Sequence, residues 1–166
     1  MNQSNSQPNL RFILEDYRNF IAFGFGSGLS PSAPGTAGTL VGFPLFFLLA
    51  AFLSPVPLLV VILFALLVGI PICDAAGKAV GVADHNGIVW DEIAAFMLVL
   101  YFTHGSLTEY LLAFVLFRLF DIWKPFPIRY VDNRFENGFG VMADDVLAAL
   151  YAILVLAVLR LTLLPG

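Results

Sequence analysis

Cysteine is almost missing from this chain: Cys73 is the only one, which excludes an intrachain disulfide framework. Charge is also scarce. Lys, Arg, Asp and Glu make up 12% of 166 residues, and the formal net charge is −4. A nucleic-acid partner would need a basic patch or stripe, so none is expected. The first nine residues, Met1 to Asn9, are polar and lack the basic start and apolar core of a secretory leader. They read as a disordered tail, and the apolar segments that follow as retained structure.

What the chain has in excess is apolar surface. Hydrophobic residues account for 60% of it, and the mean hydropathy is +0.90. That usage is foreign to a soluble globular domain. The expectation is an all-α, polytopic membrane helix bundle in which residues 10–166 form one membrane-embedded domain.

Residues 10–23 place Leu10, Ile13, Leu14, Tyr17 and Phe20 at helical spacing with charges on the other faces. This predicts an N-terminal amphipathic helix at the membrane interface, or a helix that caps the bundle. Gly24 to Thr39 is dense in Gly, Pro and hydroxyl residues and cannot form one continuous helix. Thr36 or Thr39 could cap the helix that follows, and a loop feeding a helix N-terminus can receive an anion. The alternative is that its small residues serve close helix packing.

From Leu40 to Ile72 no charge occurs, a run longer than the roughly 20 residues one span requires. Ser54-Pro-Val-Pro57 divides it. Five spans follow, at about 38–53, 57–73, 88–102, 107–123 and 141–161. Polar loops at 74–87 and 124–140 and the turn Thr103-His-Gly-Ser106 join them. Under this scheme Arg11, Arg18, Lys78, Arg118, Lys124, Arg129 and Arg134 fall on one side and Arg160 alone on the other. The positive-inside tendency places the first side in the cytoplasm. The acids crowd there too, with Glu109 the exception, and topology does not demand that. Trp90, Trp123 and Tyr130 suit the interfacial aromatic belt.

Three predicted span ends meet at this level. One opens with Asp91-Glu92 after Asp84-His85, another closes with Arg118, Asp121 and Lys124, and the last begins near Asp144-Asp145. Carboxylates without a cysteine cluster and with few histidines suit a hard cation such as Mg²⁺, with phosphate completing its shell. Arg and Lys beside them can hold phosphate oxygens. The chemistry expected is metal-dependent phosphoryl hydrolysis on a lipid. Each piece has a plainer reading: acids favoured at a helix start, a structural Arg118–Asp121 pair, a solvated loop His85. Their joint occurrence on one side favours the site.

These same segments resemble the successive signature blocks of the phosphatidylglycerophosphatase A family. They are Gly24-Phe-Gly-Ser-Gly-Leu-Ser-Pro31 with Ala33-Pro-Gly-Thr36, Gly81-Val-Ala-Asp-His85 with Ile88-Val-Trp-Asp-Glu92, Phe117-Arg-Leu-Phe-Asp121 with Lys124-Pro-Phe-Pro-Ile128, and Gly138-Phe-Gly-Val-Met-Ala-Asp-Asp145. The resemblance covers about residues 22 to 152 and departs at Gly138-Phe-Gly-Val141, where a double glycine with Leu-Gly-Ile is more usual. It implies a multi-pass enzyme of the bacterial inner membrane that uses Mg²⁺ to convert phosphatidylglycerophosphate to phosphatidylglycerol, its site facing the cytoplasm.

By this resemblance Asp84, Asp91, Glu92, Asp121, Lys124, Asp144 and Asp145 fall on the family's acid- and lysine-bearing positions. The roles expected are metal ligation by Asp91, Glu92, Asp121 and Asp144 or Asp145, phosphate binding by Arg118 and Lys124, and proton handling by Asp84 or His85. Ser27 and Thr36 of the Gly-rich loop would complete the head-group pocket. Two rivals stay open. One is a lipid phosphotransferase of the CDP-alcohol class, whose acidic motif Asp74-Ala-Ala-Gly-Lys78 matches poorly; the other is a small transporter with no enzymatic activity. A homo-oligomer is equally open.

Overall fold

The protein's structure, a computed structural model, describes residues 8–163; most of the expected disordered tail lies outside them. Among the described residues every regular element is helical. The α-helices are α1 (Leu10–Glu15), α2 (Tyr17–Ala22), α3 (Pro34–Phe52), α4 (Pro55–Val80), α5 (Trp90–Tyr101), α6 (Leu107–Trp123), α7 (Ile128–Arg134) and α8 (Gly138–Leu163), and a 3-10 helix covers Gly24–Leu29 in the Gly-rich stretch.

The expected amphipathic helix is broken in two. Asp16 is extended, and its carboxylate accepts the N–H of Arg18, capping α2. Leu10, Leu14 and Tyr17 remain exposed while Ile13 is fully buried, so the segment both caps the bundle and presents an apolar edge outward. Phe23 is also buried, and the carbonyl of Ala22 accepts the N–H of Val89 just before α5.

Helix α3 starts at Pro34, with Ala33 in the left-handed region as its N-cap and no side-chain cap. Thr36 and Thr39 therefore lie inside the helix and do not cap it. Pro at the first helical position lacks only an N–H that would have no partner there and brings a helical φ, so Pro34 sets the start. Gly35, Gly38 and Gly42 lie on the face against α5, where an added Cβ would meet Glu92, Val89 and Phe96. Small residues at that spacing let two helices approach closely.

Three helices, α3, α4 and α8, are long and apolar enough to cross a membrane. The other two expected spans are shorter. Helix α5 has 12 residues, about 18 Å at 1.5 Å per residue, against a hydrocarbon core of about 30 Å. It is buried from Ile93 to Leu100 and packs against α3, α4 and α8, so it is the core of the bundle. Helix α6 has 17 residues and carries Glu109, Arg118 and Asp121.

Helix α4 runs on to Val80. Asp74 and Lys78, expected in a loop, are helical and form an i, i+4 pair at 2.6 Å, and the loop shrinks to the few residues before α5. Trp90, expected in the interfacial belt, instead donates its indole N–H to the carbonyl of Ala65 at 3.2 Å; Trp123 and Tyr130 are exposed. Within the polar stretch after Lys124 the chain forms the short helix α7, which packs on α8.

Candidate active site

Four helix ends and one loop converge on a cavity of about 270 Å³. The N-terminus of α3 contributes Ala33, Pro34 and Gly35, and the loop before α5 contributes Asp84 and Asn86. Asp91 and Glu92 come from the first turn of α5, Arg118 and Asp121 from the end of α6, and Asp144 and Asp145 from the second turn of α8. Lys124, just past α6, completes the ring of charges.

Asp91, Glu92 and Asp145 each offer a carboxylate oxygen within 4.8 Å of the other two. Asp91 and Asp145 are buried. Oxygens Oδ1 of Asp91, Oε2 of Glu92, Oδ1 of Asp144 and Oδ2 of Asp145 are buried with no hydrogen-bond partner. Desolvated carboxylate oxygens are costly unless paired or bound to metal. Their number and hardness fit a small divalent cation, which takes oxygen ligands. Asp121 and Asp144 face the same cavity but are each bound to a basic side chain.

Arg118 Nη1 lies 2.6 Å from Asp121 Oδ2 and 3.5 Å from Glu92 Oε1. It also donates to Thr39 Oγ1 at 3.3 Å, and that hydroxyl in turn donates to the carbonyl of Gly35 at 2.9 Å. Its Nε is buried without a partner, a donor left for a ligand oxygen. Gly35 is the point of closest approach: a Cβ there would stand 2.2 Å from Glu92 Oε1 and 3.2 Å from the Arg118 guanidinium.

Lys124 is in the left-handed region at φ 46°, which an L-residue adopts only when its surroundings hold it there. Its Nζ lies 2.6 Å from both Asp144 Oδ2 and Asp132 Oδ1. Burial works against the ammonium charge, but Asp144 and Asp132 outweigh it and hold the pKa above the ordinary lysine range. Lys124 is therefore a fixed cation joining α6, α7 and α8.

Asp84 lies at the rim of the cavity. Enclosure on its protein side raises its carboxyl pKa; Lys124 opposes the rise, while Asp132 and Asp121 add to it. His85 is turned elsewhere. Its Nδ1 accepts the N–H of Gly87 at 3.0 Å, its ring lies near that of Phe23, and burial lowers its pKa against the pull of Asp84.

Of the residues expected from sequence, the cavity gathers Asp84, Asp91, Glu92, Arg118, Asp121, Lys124, Asp144 and Asp145. It does not gather Ser27, whose hydroxyl donates to the carbonyl of Gly24, nor His85; Thr36 is also absent from its lining. Sequence reasoning assigned no role to Asp132 or Asn86, and although it expected the Gly24–Thr39 stretch at the head-group pocket it did not single out Gly35, which lines the cavity, or Thr39, which holds Arg118. Asp132 could have been flagged as an acid eight residues beyond Lys124; the others carry no chemical signal of their own.

The arrangement pairs unpartnered carboxylates with two anchored cations beside the start of α3, as a phosphate ester and a metal would require. The model of the phosphatidylglycerophosphatase A family matches residues 20–160. A protein of Haemophilus influenzae named phosphatidylglycerophosphatase A is 44% identical over 153 residues, 92% of this chain and 94% of the relative. The Escherichia coli protein of that name is 39% identical over 131 residues, 78% and 76% of the two chains. A Bacteroides thetaiotaomicron protein named putative phosphatidylinositol-3-phosphatase is 39% identical over 150 residues, 84% and 91%. No solved structure matches. Matched along most of its length by the family model and by these relatives, the chain belongs to the phosphatidylglycerophosphatase A family.

Proposed function

We propose that this protein is a lipid phosphomonoesterase that removes the terminal phosphate of phosphatidylglycerophosphate, leaving phosphatidylglycerol. The observation that carries the reading is one cavity holding unpartnered carboxylates beside Arg118 and Lys124, at a level where α3 and α8, both apolar enough for a bilayer, have their ends. Family membership supplies the substrate class. The positive-inside bias supports a cytoplasmic-face site in a bacterial inner membrane.

Arg118 and Lys124 bind the phosphate. Arg118 offers its free Nε and a fork fixed by Asp121 and Thr39. Lys124 offers a point charge already committed to Asp144 and Asp132, so its contribution to phosphate is electrostatic. Asp91, Glu92 and Asp145 would hold Mg²⁺, with Asp144 and Asp121 adjoining; when bound, the ion supplies positive charge against the phosphate oxygens. Asp84 at the rim takes a proton from the attacking water at its carboxylate oxygen. His85, hydrogen-bonded to Gly87, stays outside this exchange.

Purified protein should release inorganic phosphate from phosphatidylglycerophosphate with Mg²⁺ and fall to background in EDTA. Phosphatidylinositol 3-phosphate belongs in the same assay, because one relative bears the name of that phosphatase. Release of phosphate only from the inositol lipid would change the substrate; release from neither, or lipid flux in liposomes without hydrolysis, would overturn the reading.

A further inference from the structure

A second cavity opens on the outside of the bundle. It has about 670 Å³ and lies between α4 and α8 beneath α7. Leu63, Leu67 and Ile70 of α4 form one wall, Met142, Ala143 and Val146 of α8 the other. All its lining residues are apolar. Leu63 to Ile70 covers about 10 Å along the axis of α4 at 1.5 Å per residue, from mid-helix toward the end that carries the charged cavity.

The groove neighbours that cavity through one intervening pocket. Its lining shares Phe135 with a smaller polar pocket that contains Asp84 and Asp132, and Asp84 also lines the candidate active site. Neighbouring residues of α7 divide the two: Val131 lines the groove and Asp132 binds Lys124. Phe135 is fixed against α8, because its carbonyl occupies the space where a Cβ on Gly140 would stand, and its ring meets Phe139 edge-on at 5.3 Å.

Resting on the phosphatase reading, we infer that this groove binds an acyl chain of the lipid substrate, which enters between α4 and α8 and passes its glycerol backbone by Phe135 to the phosphate site. An apolar groove at bilayer depth takes hydrocarbon. This one is set apart from the other lipid-facing surfaces by its nearness to the charged cavity, with Phe135 and Asp84 each lining the pocket between them. The occupant is thus a phospholipid whose head group reaches Asp84 and Lys124.

Two measurements test it. In vesicles containing phosphatidylglycerol with a diazirine in one acyl chain, irradiation should label peptides 63–70 and 139–147 above the exposed faces of α3 and α6. Even labelling across all faces would overturn the inference. In the second, Ala143→Trp and Val146→Trp should lower the ratio of kcat/KM for diacyl phosphatidylglycerophosphate to that for its deacylated head group by about tenfold. That corresponds to displacing roughly two buried methylenes. Leu154→Trp, on an exposed position of the same helix, should leave the ratio at the wild-type value. An unchanged ratio in the groove variants, or an equal fall in Leu154→Trp, rejects the groove as the substrate's path. Wild-type protein silent on both substrates would instead sink the phosphatase reading, and the labelling would still decide the groove.

Discussion

Gly35 shows how little room the site leaves at the scale of single residues. With a Cβ 2.2 Å from Glu92 Oε1, Gly35→Ala must push α3 or Glu92 aside and tilt the Arg118 fork with it. Displacements near 1 Å at a reacting centre cost about 10²-fold in rate, so phosphate release should fall by about that factor. Asp84 carries a pH prediction. Its pKa is raised by enclosure on its protein side although the residue is exposed overall, and it must be ionised to accept a proton. Activity should therefore fall with decreasing pH at values above the ordinary aspartate pKa of about 3.9. Asp84→Asn should lower kcat by about 10²–10⁴-fold and remove that limb, whereas His85→Gln should leave the limb in place; a pH profile of kcat/KM checks both. Asp91→Asn, Glu92→Gln and Asp121→Asn should each abolish turnover while the protein still folds in membranes. Residue type announced these acids and cations, because ionised groups beside long apolar runs have few other uses. Gly35 and Thr39 were not legible, since their roles follow from which helix lies opposite.

The helices divide by what covers them. Hydropathy located α3, α4 and α8 because apolar length is the quantity a bilayer selects. It could not tell α5 from a span, because a helix buried among other helices and one facing lipid are equally apolar. The polar stretch 74–87 departs from the expected loop for a related reason: Asp74 and Lys78 pair within α4, and Asp74 also accepts the N–H of Gly138 at 3.3 Å, so tertiary contacts carry the helix further than hydropathy indicates. At the opposite end of the bundle one ion pair ties the helices together. Arg160 Nε of α8 donates to Glu109 Oε1 of α6 at 2.6 Å, and its Nη2 donates to the carbonyl of Phe102 after α5 at 2.6 Å. Glu109 is buried. Removing one partner strands a buried charge, at a cost of about 3–5 kcal/mol. Arg160→Met should therefore lower the thermal midpoint in detergent, and Glu109→Gln with Arg160→Met should recover most of the loss. The pair is far from the phosphate site, so kcat at moderate temperature should hold in both variants.

For the whole molecule the dominant fact is an imbalance of charge. The cavity carries six acids, Asp84, Asp91, Glu92, Asp121, Asp144 and Asp145, and two cations, Arg118 and Lys124. All ionised, they carry a net charge of −4, equal to the formal charge of the entire chain. Packing like charges into a low-dielectric cavity opposes folding, and a dication that binds only the folded state relieves it. Such a ligand stabilises by mass action, about 2.7 kcal/mol when its concentration is 100 times its Kd. For a protein of this size that is a rise of roughly 5–10 °C in the thermal midpoint. Mg²⁺ should thus raise the melting temperature of the detergent-solubilised protein and EDTA should reverse it, in the absence of any substrate. In Asp91→Asn and Asp145→Asn the rise should shrink, while the metal-free midpoint should increase, because each removes a buried charge from the crowded site. A midpoint indifferent to Mg²⁺ in a protein that still hydrolyses lipid would mean that no dication is needed to offset the acids, and the metal would have to be dropped.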